Sequence, residues 1–150
     1  MRIVLQRVRE AQVIADGELT GRIGAGLVLL IAIAPNDSAQ EGLWLMEKIL
    51  RMRLFDGPDG FLQKNLEEIQ GEVLLISQFT LYADIHKGSR PSFSKAMPPA
   101  QARPIFEALV KSFTQRWPNK VQAGRFGADM QVSLVNDGPV TIILDREKLS

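Results

Sequence analysis

Residues 77–95, SQFTLYADIHKGSRPSFSK, gather hydroxyls (Ser77, Thr80, Ser89, Ser92, Ser94), an amide, three basic groups (Lys87, Arg90, Lys95) and the rings of Tyr82 and Phe93. Such a mixture can hold phosphate and stack a base; it is equally the composition of a solvated loop whose Ser and Thr cap local turns. A serine nucleophile with His86 as its base is not expected. Ser77 lacks the G-x-S-x-G elbow that would expose its hydroxyl, and Asp84 stands only two residues before His86. Glu67-Glu68 has no apolar surround that would raise one carboxyl's pKa, so it reads as surface charge. With no Cys and one His, thiol catalysis, disulfides and Cys/His zinc sites are ruled out, and neither metal nor cofactor is expected. What remains for a hydrolase is a set of backbone N–H groups that stabilise an oxyanion while substrate or water supplies the rest.

A second stretch, SLVNDGPVTIIL at 133–144, interrupts a strand-like run with Asn-Asp-Gly-Pro. Gly opens backbone angles closed to other residues and Pro sets its own φ while removing a donor, so the insert reads first as a turn between two strands. The other reading is that Gly138-Pro139 presents bare backbone to something that must approach closely.

The elements that must carry these stretches are legible in outline. RIVLQ (2–6) and AQVIA (11–15) read as strand, Asp16-Gly17 as a hairpin turn, and LVLLIAIA as a buried strand. Ser38 stands three residues before Glu41 in a capping-box spacing, and Leu43, Met46, Ile49 and Leu50 form one helical stripe. FDGPDG (55–60) reads as a turn-rich loop and EVLLIS (72–77) as a buried strand. Ile105, Phe106, Leu109, Val110 and Phe113 mark a second amphipathic helix over about residues 100–116. MQVSLVN and VTIIL complete the set as two strands. The expected class is α+β: a single domain over residues 1–150, its mostly antiparallel sheet curled into a barrel-like core with two flanking helices.

Lys plus Arg number 18 against 17 Asp plus Glu, so no large net field announces a nucleic-acid or membrane partner. The opening MRIVLQRVREAQ places charges inside what would have to be a signal's apolar core. The longest apolar run, Leu27 to Ala34, is too short to span a bilayer. A cytosolic location, away from membranes, is the expectation.

Taken together, SQFTLYA (77–83) and NDGPVT (136–141) resemble the paired signature motifs of the D-aminoacyl-tRNA deacylases. RIVLQRV, GELTG (17–21), IGAG, RPSFSKA (90–96) and GRFGADMQVSLVNDGPVT (124–141) follow in the same order and spacing, so the resemblance covers almost the whole chain. It implies an editing hydrolase that cleaves the ester of D-aminoacyl-tRNA, or of glycine mischarged on tRNA(Ala), with no cofactor. It also implies a homodimer in which each subunit inserts a Gly138-cisPro139 element into its partner's site, excluding L-aminoacyl groups by a backbone wall. By the same resemblance, backbone N–H groups around Gln78, Phe79 and Thr80 face the oxyanion, and Ser77 and Gln78 hold that loop. The substrate's 2′-hydroxyl assists, Phe126 and Met130 lie near the terminal adenine, and Arg7 braces the Gly-Pro loop. The alternatives are a non-catalytic RNA-end binding module using Lys87, Arg90 and Lys95 with Phe126 or Tyr82, a small-ester or peptide hydrolase using Ser77, and a purely structural dimer.

Overall fold

A computed structural model describes residues 1–86 and 88–146. RIVLQ and AQVIA fuse into one strand, β1 (Arg2–Ala15), which turns through Asp16-Gly17 into β2 (Glu18–Ile23). Both turn residues take positive φ, 49° and 83°, the conformation whose twist matches a two-residue hairpin. Along β1 the alternation of buried and exposed residues slips at Arg7-Val8-Arg9-Glu10. That slip lets one strand serve two apolar clusters: Ile3 and Leu5 join the larger core, Val8, Ala11 and Val13 the smaller.

β3 (Gly26–Ala32) lies antiparallel to β1, with Ile3 opposite Ile31. On its other edge β3 runs parallel to β6 (Glu72–Ser77), with Ile31 opposite Ser77, and β7 (Val121–Ala123) follows in parallel. The sheet is therefore antiparallel around β1 and parallel across β3, β6 and β7. Parallel neighbours need long crossovers, and these carry the two helices, α1 (Ala39–Arg51) and α2 (Pro99–Arg116). The result is one domain with a nearly closed, barrel-like sheet and two helices packed on it.

Helix α1 begins where the spacing predicts: the Ser38 N–H donates to the Glu41 carboxylate at 2.7 Å. Its buried stripe is Leu45, Met46, Ile49 and Leu50, while Leu43 stays half-buried. In α2, Ala102, Phe106, Leu109 and Phe113 are buried, and Ile105 and Val110 flank them half-buried. Glycine allows close approach at two joints of the fold. A Cβ on Gly26 would stand 1.9 Å from the backbone oxygen of Glu72, and one on Gly42 2.2 Å from a methyl of Leu109 where the helices cross.

Two sequence expectations need correction. FDGPDG is not simply a loop: β4 (Phe55–Gly57) and β5 (Gly60–Lys64) pair as a small hairpin around Pro58-Asp59, stabilised by the Asp56 carboxylate accepting the Leu62 N–H at 3.1 Å. The C-terminal strands are one, β8 (Met130–Asp145), antiparallel to β1 throughout. Asp137-Gly138-Pro139 thus does not reverse the chain. Val8 faces Asn136 and Gln6 faces Thr141, so Asp137–Val140 bulge out opposite Arg7 alone, a bend that re-aims backbone instead of turning it.

Candidate active site

A cleft of about 540 Å³ opens at the C-terminal ends of β3 and β6, walled by Ile31, Ile33, Met97, Ala102 and Phe106. The motif residues Ser77, Gln78 and Phe79 line one side and Phe126 lies among the walls. None of the described residues that line it is charged. Phe79, exposed at the mouth, meets Phe93 edge to face with ring centroids 5.0 Å apart. Phe126 is half-buried, 5.9 Å from the Phe106 ring, and carries the Arg103 guanidinium 5.1 Å from its centroid.

Directly after β6 the chain enters a single 3-10 turn, Phe79–Tyr82. The Gln78 N–H donates to Ile31 O at 2.7 Å, extending the sheet by one bond. This narrows the expectation that the N–H groups around Gln78, Phe79 and Thr80 all face the substrate, because Gln78's own is already engaged. The N–H groups of Phe79 and Thr80 open the turn and find no acceptor among the described residues, as first-turn donors do. The Gln78 side-chain amide donates to the Thr80 hydroxyl, clasping the turn across its exposed side. Thr80 itself is not one of the residues that line the cleft.

His86 does not share this cleft. Its Nδ1 lies 2.7 Å from Asp84 Oδ1, its side chain is exposed, and Lys95 Nζ holds the other carboxylate oxygen at 3.0 Å. Asp84 is held well below the ordinary carboxylate range, first by the backbone N–H of His86 and then by the Lys95 ammonium. Of the basic cluster, Lys95 is thereby paired, Arg90 is exposed and Lys87 lies outside the described residues. Tyr82 is buried beneath the Arg2 guanidinium, 4.8 Å from its ring centroid, and so stacks no base. Glu67 and Glu68 are exposed.

The second motif builds a separate structure. Gly138 and Pro139 are exposed at the crest of the β8 bulge, and the bond between them is cis. Arg7, only 4 % exposed, lies beneath: its Nε donates to Asp137 O at 2.8 Å, and one terminal nitrogen donates to Leu54 O at 2.9 Å and to Asp56 at 3.1 Å. Asp56 is held below its usual pKa, first by the Leu62 N–H it accepts. Asn136, which sequence reasoning passed over as one turn residue among several, closes the bulge. It accepts the Val140 N–H at 2.9 Å and donates to Val140 O at 3.2 Å.

Within one chain the two motifs do not meet. Register leads from Ser77 across Ile31 and Ile3 to Leu144, and Pro139 lies five residues further along β8, roughly 20 Å away along the sheet. Met130 also stands apart from the cleft lining. It packs against the smaller core, and a Cβ on Gly124 would stand 2.5 Å from its sulfur.

An apolar cleft free of charged lining residues, with the unpartnered Phe79 N–H at the head of the adjoining turn, suits oxyanion stabilisation at an ester carbonyl better than side-chain acid–base catalysis. The chain belongs to the D-Tyr-tRNA(Tyr) deacylase family, whose model matches residues 4–145. It is accordingly a carboxylic ester hydrolase of the D-aminoacyl-tRNA deacylase class. The D-aminoacyl-tRNA deacylase of Chlorobaculum tepidum is 49% identical over 148 residues, covering 99% of each protein. The structure of a c-Myc DNA Unwinding Element Binding Protein superposes with a TM-score of 0.89 at 38% identity, covering 97% of this chain and 98% of that one. A structure described as a probable eukaryotic D-amino acid tRNA deacylase shares the fold, with a TM-score of 0.82 at 15% identity over 95% and 97%.

Proposed function

We propose that this chain removes D-amino acids, and glycine mischarged on tRNA(Ala), from the 3′-terminal adenosine of tRNA and rejects L-aminoacyl esters at the Gly138-Pro139 backbone. The observation that carries this reading is the uncharged cleft, with Ser77, Gln78 and Phe79 on one side and Phe126 among its walls. Phe126 takes the adenine. The ester carbonyl lies at the head of the 3-10 turn, where the Phe79 and Thr80 N–H groups receive the oxyanion as water adds to the carbonyl carbon. Collapse breaks the acyl–oxygen bond, and the ribose oxygen leaves with a proton that the neighbouring 2′-hydroxyl relays. Ser77 and Gln78 hold the turn and are not the nucleophile. Met130 supports the Gly124–Phe126 segment from behind.

Gly138 and Pro139 are too far from their own chain's Ser77 to act there, so the wall serves a second copy. A homodimer, each bulge entering its partner's cleft, fits their exposure and the unpaired outer edge of β8 among the described residues. Arg7 and Asn136 hold the bulge in the rigid shape that exclusion requires. The substrate places the enzyme in the cytoplasm. Among the described residues no helix is long and apolar enough to cross a membrane.

The test is to follow ester loss from matched D-tyrosyl-tRNA and L-tyrosyl-tRNA with the wild-type chain and with Pro139→Ala. Loss of the D-ester alone, with leakage toward the L-ester in the variant, supports both the reaction and the filter. Binding of tRNA without loss of either ester points to the non-catalytic binding module instead.

A further inference from the structure

Phe126 has a second side. Behind it, away from the cleft, a depression of about 330 Å³ is lined by Arg103, Glu107 and Lys111 of α2 and by Arg125. Positions 103, 107 and 111 follow one another at four-residue steps, which places them on one helix face. The lining holds three cations and the Glu107 carboxylate, and of the cations Arg125 is already matched by Glu18 and Asp16.

The three cations differ in how firmly they are held. Arg125 is anchored, 2.9 Å from Glu18 and 3.8 Å from Asp16. Arg103 covers the Phe126 ring and approaches Glu107 only at 3.8 Å, and its side chain is half exposed. Lys111 is exposed and makes no ion pair among the described residues. The larger depression, about 840 Å³ beside Tyr82, engages most of its cations more closely. There Arg2 is bound to Asp145 and Lys95 to Asp84, Arg146 lies over the Trp44 ring, and Asp37 takes the N-terminal ammonium.

We propose that Arg103 and Lys111, the two loosely held cations, hold the phosphates immediately 5′ to the terminal nucleotide, so that the single-stranded tRNA end crosses Phe126 onto α2. The inference rests on the placement of the terminal adenosine against Phe126 given above. Each released counterion contributes a salt slope of about 0.7 per phosphate on a single strand.

The experiment compares kcat/KM on D-tyrosyl-tRNA and on D-tyrosyl-adenosine, which has no phosphate, from about 50 to about 200 mM salt. Arg103→Gln/Lys111→Gln should flatten the log–log salt slope on the tRNA ester by about 1.4. Its deficit in the tRNA-to-adenosine rate ratio should therefore be roughly sevenfold larger at about 50 than at about 200 mM salt. Arg103→Lys/Lys111→Arg should restore both. An unchanged ratio and slope overturns the inference, as does a slope change produced instead by Arg90→Gln/Lys95→Gln. Failure of the wild-type chain to hydrolyse either ester overturns the reading of the cleft itself, and this inference with it.

Discussion

Asp84 draws in His86 and Lys95, accepting from the His86 backbone and ring on one oxygen and from Lys95 on the other. This geometry ties His86 to Asp84 and leaves it outside the cleft that Ser77 lines. His86→Ala is therefore expected to retain most of the deacylase activity; a loss of several orders of magnitude in kcat would show that the ring takes part. The carboxyl's pKa in the folded chain is depressed from 3.8. The tether is accordingly complete above the unfolded value and is lost only as pH falls through the lower folded one. An NMR titration should find Asp84 still ionised near pH 4, where an unperturbed carboxyl is half protonated.

At the scale of elements, the joint between β3 and β6 decides whether the cleft exists, because Ser77 reaches the mouth only if β6 runs in register with β3. That register starts where Gly26 lies against Glu72. A methyl there would meet backbone 1.9 Å away, and backbone cannot rotate aside as a side chain can. Gly26→Ala should cost about 3 kcal/mol of stability, at the upper end of overpacking effects, read as a shift in the denaturation midpoint. Unchanged stability would mean the two strands can part without loss. The capping box of α1 and the apolar stripe of α2 were readable from spacing alone, since each depends on residues within a few positions of one another. The β4–β5 hairpin was hidden, because its stabilising contacts from Asp56 to Leu62 and Arg7 involve residue pairs that local pattern does not connect.

For the whole molecule, the distance between the two motifs in one chain is the decisive fact. If Gly138-Pro139 acts across a dimer, dilution below the dissociation constant should abolish D-ester hydrolysis and chiral rejection together, followed by sedimentation velocity beside the activity assay. A fully active monomer that still rejects L-esters would remove the cross-subunit part of the proposal. Exposed Val135 and Ile143 on β8 are consistent with a surface that associates.

From residue types and spacing alone, the chain declared its α+β class, its two helices, the Asp16-Gly17 hairpin, the absence of thiol and Cys/His metal chemistry, and the two motifs that carry its family resemblance. These follow from local periodicity, turn chemistry and composition, which need no partner distant in sequence. Only the tertiary structure decided that β8 runs unbroken past Asn-Asp-Gly-Pro, that Arg7 is the buried post beneath that bulge, and that the Gln78 N–H belongs to the sheet. The same holds for Met130, which packs into the core, and for Phe126, which separates an apolar cleft from a basic depression. In each case the deciding contact joins residues far apart in the chain, such as Arg7 with Asp137 or Gln78 with Ile31. A linear reading supplies the groups; pairing, register and burial choose which of them meet.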